Sequence, residues 1–453
     1  MRRLLFLFFG SLGLILLAGI VVALRQPKPM ASVPLSLPDG SVVRILAVTY
    51  GTNHAVGRPV ARLVARMPAG LSDLLGGLFP LLASTATPEP KLIVWLARAA
   101  NNATNPPGSG YLTALLSDAS GFISGDHASV FGPSPNPEQM QFGVLPRRDP
   151  VIVVNFFYHS PTGSVSQCGS LPFANPRYGA FPQWQPETLP ATRRVEDVAV
   201  TLEKVSTGHD QNSSVRADSN GRVSHEFGTN RVDGQNSTFC FIRLLPLTNT
   251  NQVWCVAGDE VSDATGNKAR NTSLGWGSFE EGYFSFEPGL WPRESAWKLR
   301  CEIKRVRGFD PGDTFVFRDI PFGSLGATNV IRCATNFSGV SVILDHTIRR
   351  APNTNSSWSS EELSQVQFTT AGLTNGLHLD LLSARTDTGT NLDCGSWSSG
   401  DRQRTYNYRT LPLEAKTADF TFAVQRGRWV EFIVKPEVGT ARREYEPARN
   451  GAN

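Results

Sequence analysis

Trp297-Lys298-Leu299-Arg300-Cys301-Glu302-Ile303-Lys304 alternates apolar and charged side chains without a break. A period of two is that of a β-strand with one face dry and the other wet. This is the clearest strand signal in the chain, and much of the remaining sequence repeats it in shorter form. Upstream, Val198, Val200 and Leu202 alternate with Ala199, Thr201 and Glu203. Val151 to Tyr158 is a continuous apolar strand, and Lys91 to Leu96 and Ser41 to Val48 also read as strands, the last entered through a Leu37-Pro38-Asp39-Gly40 turn. Downstream come Thr314 to Phe317, Val330 to Cys333, Val340 to Asp345, Val366 to Thr370, Leu377 to Leu382, Phe420 to Val424 and Trp429 to Val434.

The spacing changes once. Val60, Leu63, Val64 and Met67 stand at helical intervals behind Pro59, with Arg58, Arg62 and Arg66 on another side. The fold class expected is therefore mainly β. Tandem antiparallel β-sandwich-like modules follow one N-terminal transmembrane helix, and the first module carries a small helical insertion over 59–82. Residues 1–30 form the anchor and its flanks. The modules are expected at 34–185, 195–325 and 329–437, with a flexible tail at 438–453. The Pro-rich stretch Pro172 to Pro190 reads as the linker that closes the first module.

The anchor is Leu4 to Leu24, 21 residues without a charge between Arg2-Arg3 and Arg25-Gln26-Pro27-Lys28. At the helical rise this run spans about 31 Å, the thickness of a bilayer core. It is longer than the core of a signal peptide and lacks a small-x-small cleavage site, so a retained single span is expected. The short N-terminal tail favours an inside amino terminus, with the body outside the cytoplasmic membrane, periplasmic or at the cell surface.

Charge narrows the partners. The chain has 43 Lys and Arg against 39 Asp and Glu, a net +4, and Arg2, Arg3, Arg25 and Lys28 account for the excess. The body is thus formally neutral, which argues against a nucleic-acid-binding surface, since phosphate neutralisation needs a local surplus of Lys and Arg. No nucleic acid is expected. The bilayer is one partner, through Leu4 to Leu24, and a protein or glycan ligand is the other.

Six cysteines, at 168, 240, 255, 301, 333 and 394, suit an oxidising compartment. Phe239 to Leu245 and Gln252 to Ala257 read as an antiparallel pair around Thr248-Asn249-Thr250-Asn251, which makes Cys240 and Cys255 the pair expected to bridge. No metalloprotease, nucleophile-elbow, phosphate-loop, dinucleotide or calcium-loop motif occurs, so no catalytic residue and no cofactor are assigned.

Two groups of residues remain. Asp126, His127, His159, His209 and Asp210 form a candidate polar cluster near loops at strand ends. Asp126 and His127 are consecutive, and only irregular backbone could turn both toward one metal or substrate. Trp358 and Trp397 stand in Ser-rich loops as a candidate binding platform for a glycan or peptide.

The run Leu37-Pro38-Asp39-Gly40-Ser41-Val42-Val43, leading to Val48-Thr49-Tyr50-Gly51-Thr52-Asn53-His54 behind a membrane helix, resembles a group of uncharacterised membrane-anchored proteins of Verrucomicrobia-type bacteria. The resemblance implies a bacterial envelope setting and carries no residue roles. The expected function is a membrane-tethered envelope protein, a non-enzymatic scaffold or binding module. The alternative is a tethered hydrolase acting on an envelope polymer.

Overall fold

The computed structural model describes residues 34–56, 83–99, 110–131, 137–209, 214–217, 223–226, 236–248, 251–270, 273–274, 281–286, 290–350, 364–373, 376–399, 403–408, 411–438 and 443–445. Within them the chain is built of strands, paired almost entirely antiparallel. The one helical turn among the described residues is the 3-10 turn Pro311–Asp313. No helix among them is long and apolar enough to cross a membrane. The run Leu4 to Leu24 and the expected helical insertion at 59–82 both lie outside the described residues.

Two large apolar cores organise these strands. The first gathers side chains from Leu37 to Ile303 and is then completed by Val430, Phe432 and Val434. The second runs from Phe317 to Val424. The expected spans 195–325 and 329–437 therefore each contain strands of both cores. Thr314–Pro321 packs in the second core, and Arg428–Val434 returns to the first.

Three sheets enclose the first core. The N-terminal one has the order Leu35–Ser36, Val42–Val56, Ala83–Ala99, Glu138–Phe142. It opens on the expected turn, where the Gly40 amide donates to Leu37 O at 2.9 Å and Gly40 takes φ +80°, backbone that favours glycine. Leu92, Val94 and Leu96 enter the first core, while Ile93 and Trp95 form a small cluster with Val56. Burial on both faces explains why this strand reads as an unbroken apolar run. The second sheet joins ten strands. In it the expected strand Val151–His159 lies between Tyr111–Ser117 and Val165–Ala174, and Asn236–Pro246 lies between Val198–His209 and Glu281–Phe286. The third, here the junction sheet, has the order Lys268–Arg270, Val253–Asp263, Trp297–Arg307, Arg428–Val434.

One expected hairpin is absent. Asn236–Pro246 belongs to the ten-stranded sheet, whereas Val253–Asp263 pairs with Lys268–Arg270 and Trp297–Arg307. The short connection between them crosses from one sheet to another instead of reversing within one. Cys240 and Cys255 consequently lie in different sheets, and no disulfide joins any of the six cysteines. The Pro172-to-Pro190 stretch also differs from a loose linker. Pro172 pairs with Val153 inside a strand, the Trp184 amide donates to Ser295 Oγ at 3.0 Å, and the Glu187 amide donates to Ile433 O at 2.8 Å.

The second core is a sandwich of a three-stranded sheet (Thr314–Pro321, Thr417–Arg426, Leu377–Thr386) and a five-stranded one (Thr328–Phe337, Val340–Ile348, Ser364–Ala371, Gln403–Tyr408, Cys394–Ser399). Phe368 is fully buried, with ring centroids of Phe422, Phe317, Tyr406 and Phe420 at 4.8, 5.6, 5.9 and 6.0 Å. Aromatic contacts of this kind add to the energy of burial. Phe368→Ala is expected to destabilise the second core by about 3–5 kcal/mol, read from urea unfolding followed by circular dichroism. A loss under about 1 kcal/mol would show that this ring is not the centre of the packing.

Candidate functional site

The strand Trp297–Arg307 serves two environments. Trp297, Leu299, Cys301 and Ile303 are fully buried in the first core. The alternate residues Lys298, Arg300, Glu302 and Lys304 therefore share the outer face of the junction sheet. That face is half roofed and half open.

The roof is the three-stranded sheet of the second core. His378 Nε2 lies 3.1 Å from Glu302 Oε1, and Lys304 pairs with Asp380. Gln425 accepts a hydrogen bond from the Arg305 amide at 2.9 Å, donates to Arg305 O at 2.5 Å, and donates to Asp380 Oδ2 at 3.0 Å. Its carboxamide thus occupies both backbone groups of one residue, as a neighbouring strand would. The Glu302 carboxyl fits because Gly427 has no side chain. A Cβ there would fall 2.1 Å from Glu302 Oε1.

The open half carries aromatic and charged groups. Trp429, opposite Glu302 in register, is 41% exposed. The Arg300 guanidinium stands 4.7 Å from its ring centroid, a cation–π distance. Arg300 also pairs with Glu260 and, through Nε at 2.8 Å, with Glu431. The hydrogen bond that Arg300 donates to Glu260 raises the Arg300 pKa further. Lys298 Nζ lies 3.8 Å from Glu431 Oε2 and 5.7 Å from the half-buried Trp184 ring. Trp184 is held beside the sheet by its backbone bond to Ser295 and by the Glu187 clasp on Ile433, where the Ile433 amide donates to Glu187 Oε1 at 3.0 Å.

A cleft of about 310 Å³ lies between the two cores, lined by Glu196, Trp254, Arg305, Asp313, Leu377 and Arg428 among others. The Arg428 and Arg305 guanidiniums stand 4.6 and 5.8 Å from the Trp254 ring centroid. Arg428 is bound by Glu196 at 2.6 Å and Asp197 at 2.7 Å, and Arg305 by Asp313 at 3.0 Å. Burial pushes the Asp197 carboxyl up, but hydrogen bonding and charge from Arg428 outweigh it and leave the pKa lowered. These cations are already neutralised by carboxylates of the same chain.

The sequence-predicted residues fall elsewhere. Asp126 and His127 are consecutive on the strand Ile123–Phe131, and His209 ends the strand Val198–His209. Asn236 stands opposite both His209 and Ser124, so these strand ends belong to one sheet, roughly 10 Å apart across two strand spacings. His159 is remote from them. It stacks on Tyr111 at 4.2 Å and 8° and shares a hydrogen bond with Thr113 Oγ1 at 2.9 Å. Asp210 and Trp358 lie outside the described residues. Trp397 is on the edge strand Cys394–Ser399 of the five-stranded sheet. No group of three or more His, Cys, Asp or Glu side chains fit to hold a metal occurs among the described residues.

Sequence reasoning missed Trp429 as a residue of this face. The signal was present in Trp429 to Val434, where Val430, Phe432 and Val434 are dry and leave Trp429 on the opposite face. It also missed Glu138, which burial pushes up to about 7, partly offset by the charge of Arg98.

No protein-family model matches the chain, and no curated protein matches it. Among solved structures, a conserved domain protein from Bacillus anthracis aligns at 11% identity over 58% of this chain and 95% of its own, with a TM-score of 0.16. A cycloalternan-forming enzyme from Listeria monocytogenes, solved with a pentasaccharide substrate, aligns at 9% identity over 74% of this chain, with a TM-score of 0.14. An uncharacterised protein from Listeria monocytogenes gives 8% identity over the same share, with a TM-score of 0.14. The chain spans 29% of the length of each Listeria protein. Overlaps this low carry neither a fold nor a function across.

Glu138 supplies a pH test. Its folded pKa of about 7 exceeds the ordinary glutamate value of 4.5. Folding therefore takes up a proton between those values, and stability falls as pH rises through them. Glu138→Gln should unfold at higher urea than wild type at pH 8 and at nearly the same urea at pH 4. Equal midpoints at pH 8 would show that the carboxyl is ionised without cost.

Proposed function

We propose that this protein is a membrane-tethered envelope protein whose strand-built body works as a binding module outside the cytoplasmic membrane. The observation that carries the binding reading is the half-open junction face, where Trp429 stays 41% exposed among locked charges. An aromatic left on a rigid sheet surface, with hydrogen-bonding groups fixed around it, is the usual composition of a recognition site. The tether rests on the sequence. Leu4 to Leu24 holds no charge, and the body after Lys28 balances 39 cations against 39 anions. Such a body gains little from anionic lipid, so its hold on the membrane falls to the apolar run.

The hydrolase alternative draws less support. It needs at least two of Asp126, His127, His159, His209 and Asp210 to converge, and His159 is committed to Tyr111 and Thr113. Fractionation of the tagged full chain tests the tether. The protein should sediment with membranes, stay there through alkaline carbonate, come out in detergent, and lose its body to protease added outside spheroplasts. Recovery as a soluble cytoplasmic protein would overturn the reading.

A further inference from the structure

We infer that the cleft between the two cores binds the carboxyl end of a peptide whose last side chain is apolar, with Arg426 receiving the carboxylate. This site is separate from the open face around Trp429 and goes beyond the binding reading above.

The strand Thr417–Arg426 supplies one wall of the cleft. Phe420, Phe422 and Val424 are buried in the second core, and strict alternation puts Arg426 next on the same row. The sandwich ends there, so the row leaves its core and enters the cleft. Leu377, opposite Arg426 in register, lies half-buried beside it. A guanidinium therefore stands at the mouth of an apolar core, with Leu377 and Val424 lining the cleft next to it.

The opposite wall comes from the first core, and its cations are matched. Glu196 and Asp197 hold Arg428, and Asp313 holds Arg305. Arg426 differs from both. It is exposed, and among the described residues it has neither an ion pair nor a hydrogen bond. Trp254, which also lines the cleft, has a buried Nε1 without an acceptor. Both unmet groups are donors, so a fitting molecule brings oxygen acceptors. A neutral sugar would leave the charge of Arg426 unmatched. A carboxylate meets the planar fork of an arginine with two parallel hydrogen bonds.

The carboxylates at the rim narrow the class further. Glu196 and Asp313 each give one oxygen to an arginine and keep a second. A dianion such as phosphate would be repelled by those oxygens. A monoanion that carries amide N–H groups turns them into acceptors. Leu377 and Val424 add the requirement for a hydrocarbon side chain. One carboxylate, N–H groups a few bonds away and an apolar side chain together describe the end of a peptide. The volume agrees. At about 310 Å³ the cleft stands at the small end of ligand cavities, about 300–1,000 Å³, and suits a chain end better than a long strand. Glu196 and Ser338 reach the rim from hairpin turns at φ +50° and +51°. Residues other than glycine seldom adopt that backbone, and such outliers cluster at binding sites.

The test uses the full chain in detergent micelles and titration calorimetry. The probes are acetyl-Ala-Ala-Leu and acetyl-Ala-Ala-Phe as free acids, the same two peptides as carboxyl-terminal amides, and inorganic phosphate. At least one free acid should bind, and its amide should bind about tenfold more weakly or worse. Arg426→Ala should cause a loss of similar size, whereas Val330→Ala, on a strand of the second core away from the cleft lining, should cause none. If Arg426→Ala lowers the melting temperature, Arg426→Lys gives the readout instead, because it keeps the charge and loses the fork. The inference is overturned if neither free acid binds, if the amides bind as tightly as the acids, or if the Arg426 variant that keeps the wild-type melting temperature binds like wild type. Phosphate that binds where the peptides do not overturns it as well. Each of these failures leaves the tether and the face around Trp429 as they stand.

Discussion

The antiparallel pair formed by Trp297–Arg307 and Arg428–Val434 is the constraint on which the rest depends. The first strand leaves this pair to begin the second core, and the second strand returns from it. The 120 residues between Arg307 and Arg428 are thus inserted at adjacent points of one sheet. Two neighbouring strands resist swivelling far better than one linker, because backbone pairing joins them as far as Ile303 and Arg428 and the Gln425 side chain grips the Arg305 backbone beyond. Strict alternation on Trp297–Arg307 then decides what each side does. One face needs a dry core, and the other is obliged to carry charge.

Docking the second core on that charged face requires desolvating Glu302, Lys304, His378 and Asp380, which is costly unless each finds a partner. Each does. Gln425 adds two hydrogen bonds to the Arg305 backbone, and the bare Cα of Gly427 makes room for the Glu302 carboxyl. Where this roof ends, the same sheet face continues outward with Trp429 and Arg300. Roofed junction and open surface are therefore two stretches of one strand pair, and the rigidity of the first carries into the second.

Local periodicity made the strands legible and left their partners hidden. Trp297 to Ile303 and Val151 to Tyr158 could be read because their side-chain patterns repeat within a few residues. Phe239 to Leu245 and Gln252 to Ala257 were equally legible as strands, but nothing in their patterns says whether the turn between them reverses the chain or transfers it to another sheet. The pairing of Trp297–Arg307 with Arg428–Val434 lies beyond the reach of any local signal. Trp429 escaped for a related reason. An aromatic in a Ser-rich loop, such as Trp358, reads as exposed, yet a tryptophan on the wet face of a strand is equally available. Position within the period was the better guide.

The late return of Arg428–Val434 also sets an order of events during synthesis. A chain made from its amino terminus exposes nearly all of the first hydrophobic interior long before the strand that seals it exists. The inserted sandwich, whose strands span Thr314 to Arg426, is complete earlier and can fold while its host still waits. Val430, Phe432 and Val434 act as the closing seam of the larger half. A ribosome that stops short of them releases a polypeptide with its smaller half sound and its larger half gaping, the kind of product that chaperones and proteases recognise by its grease.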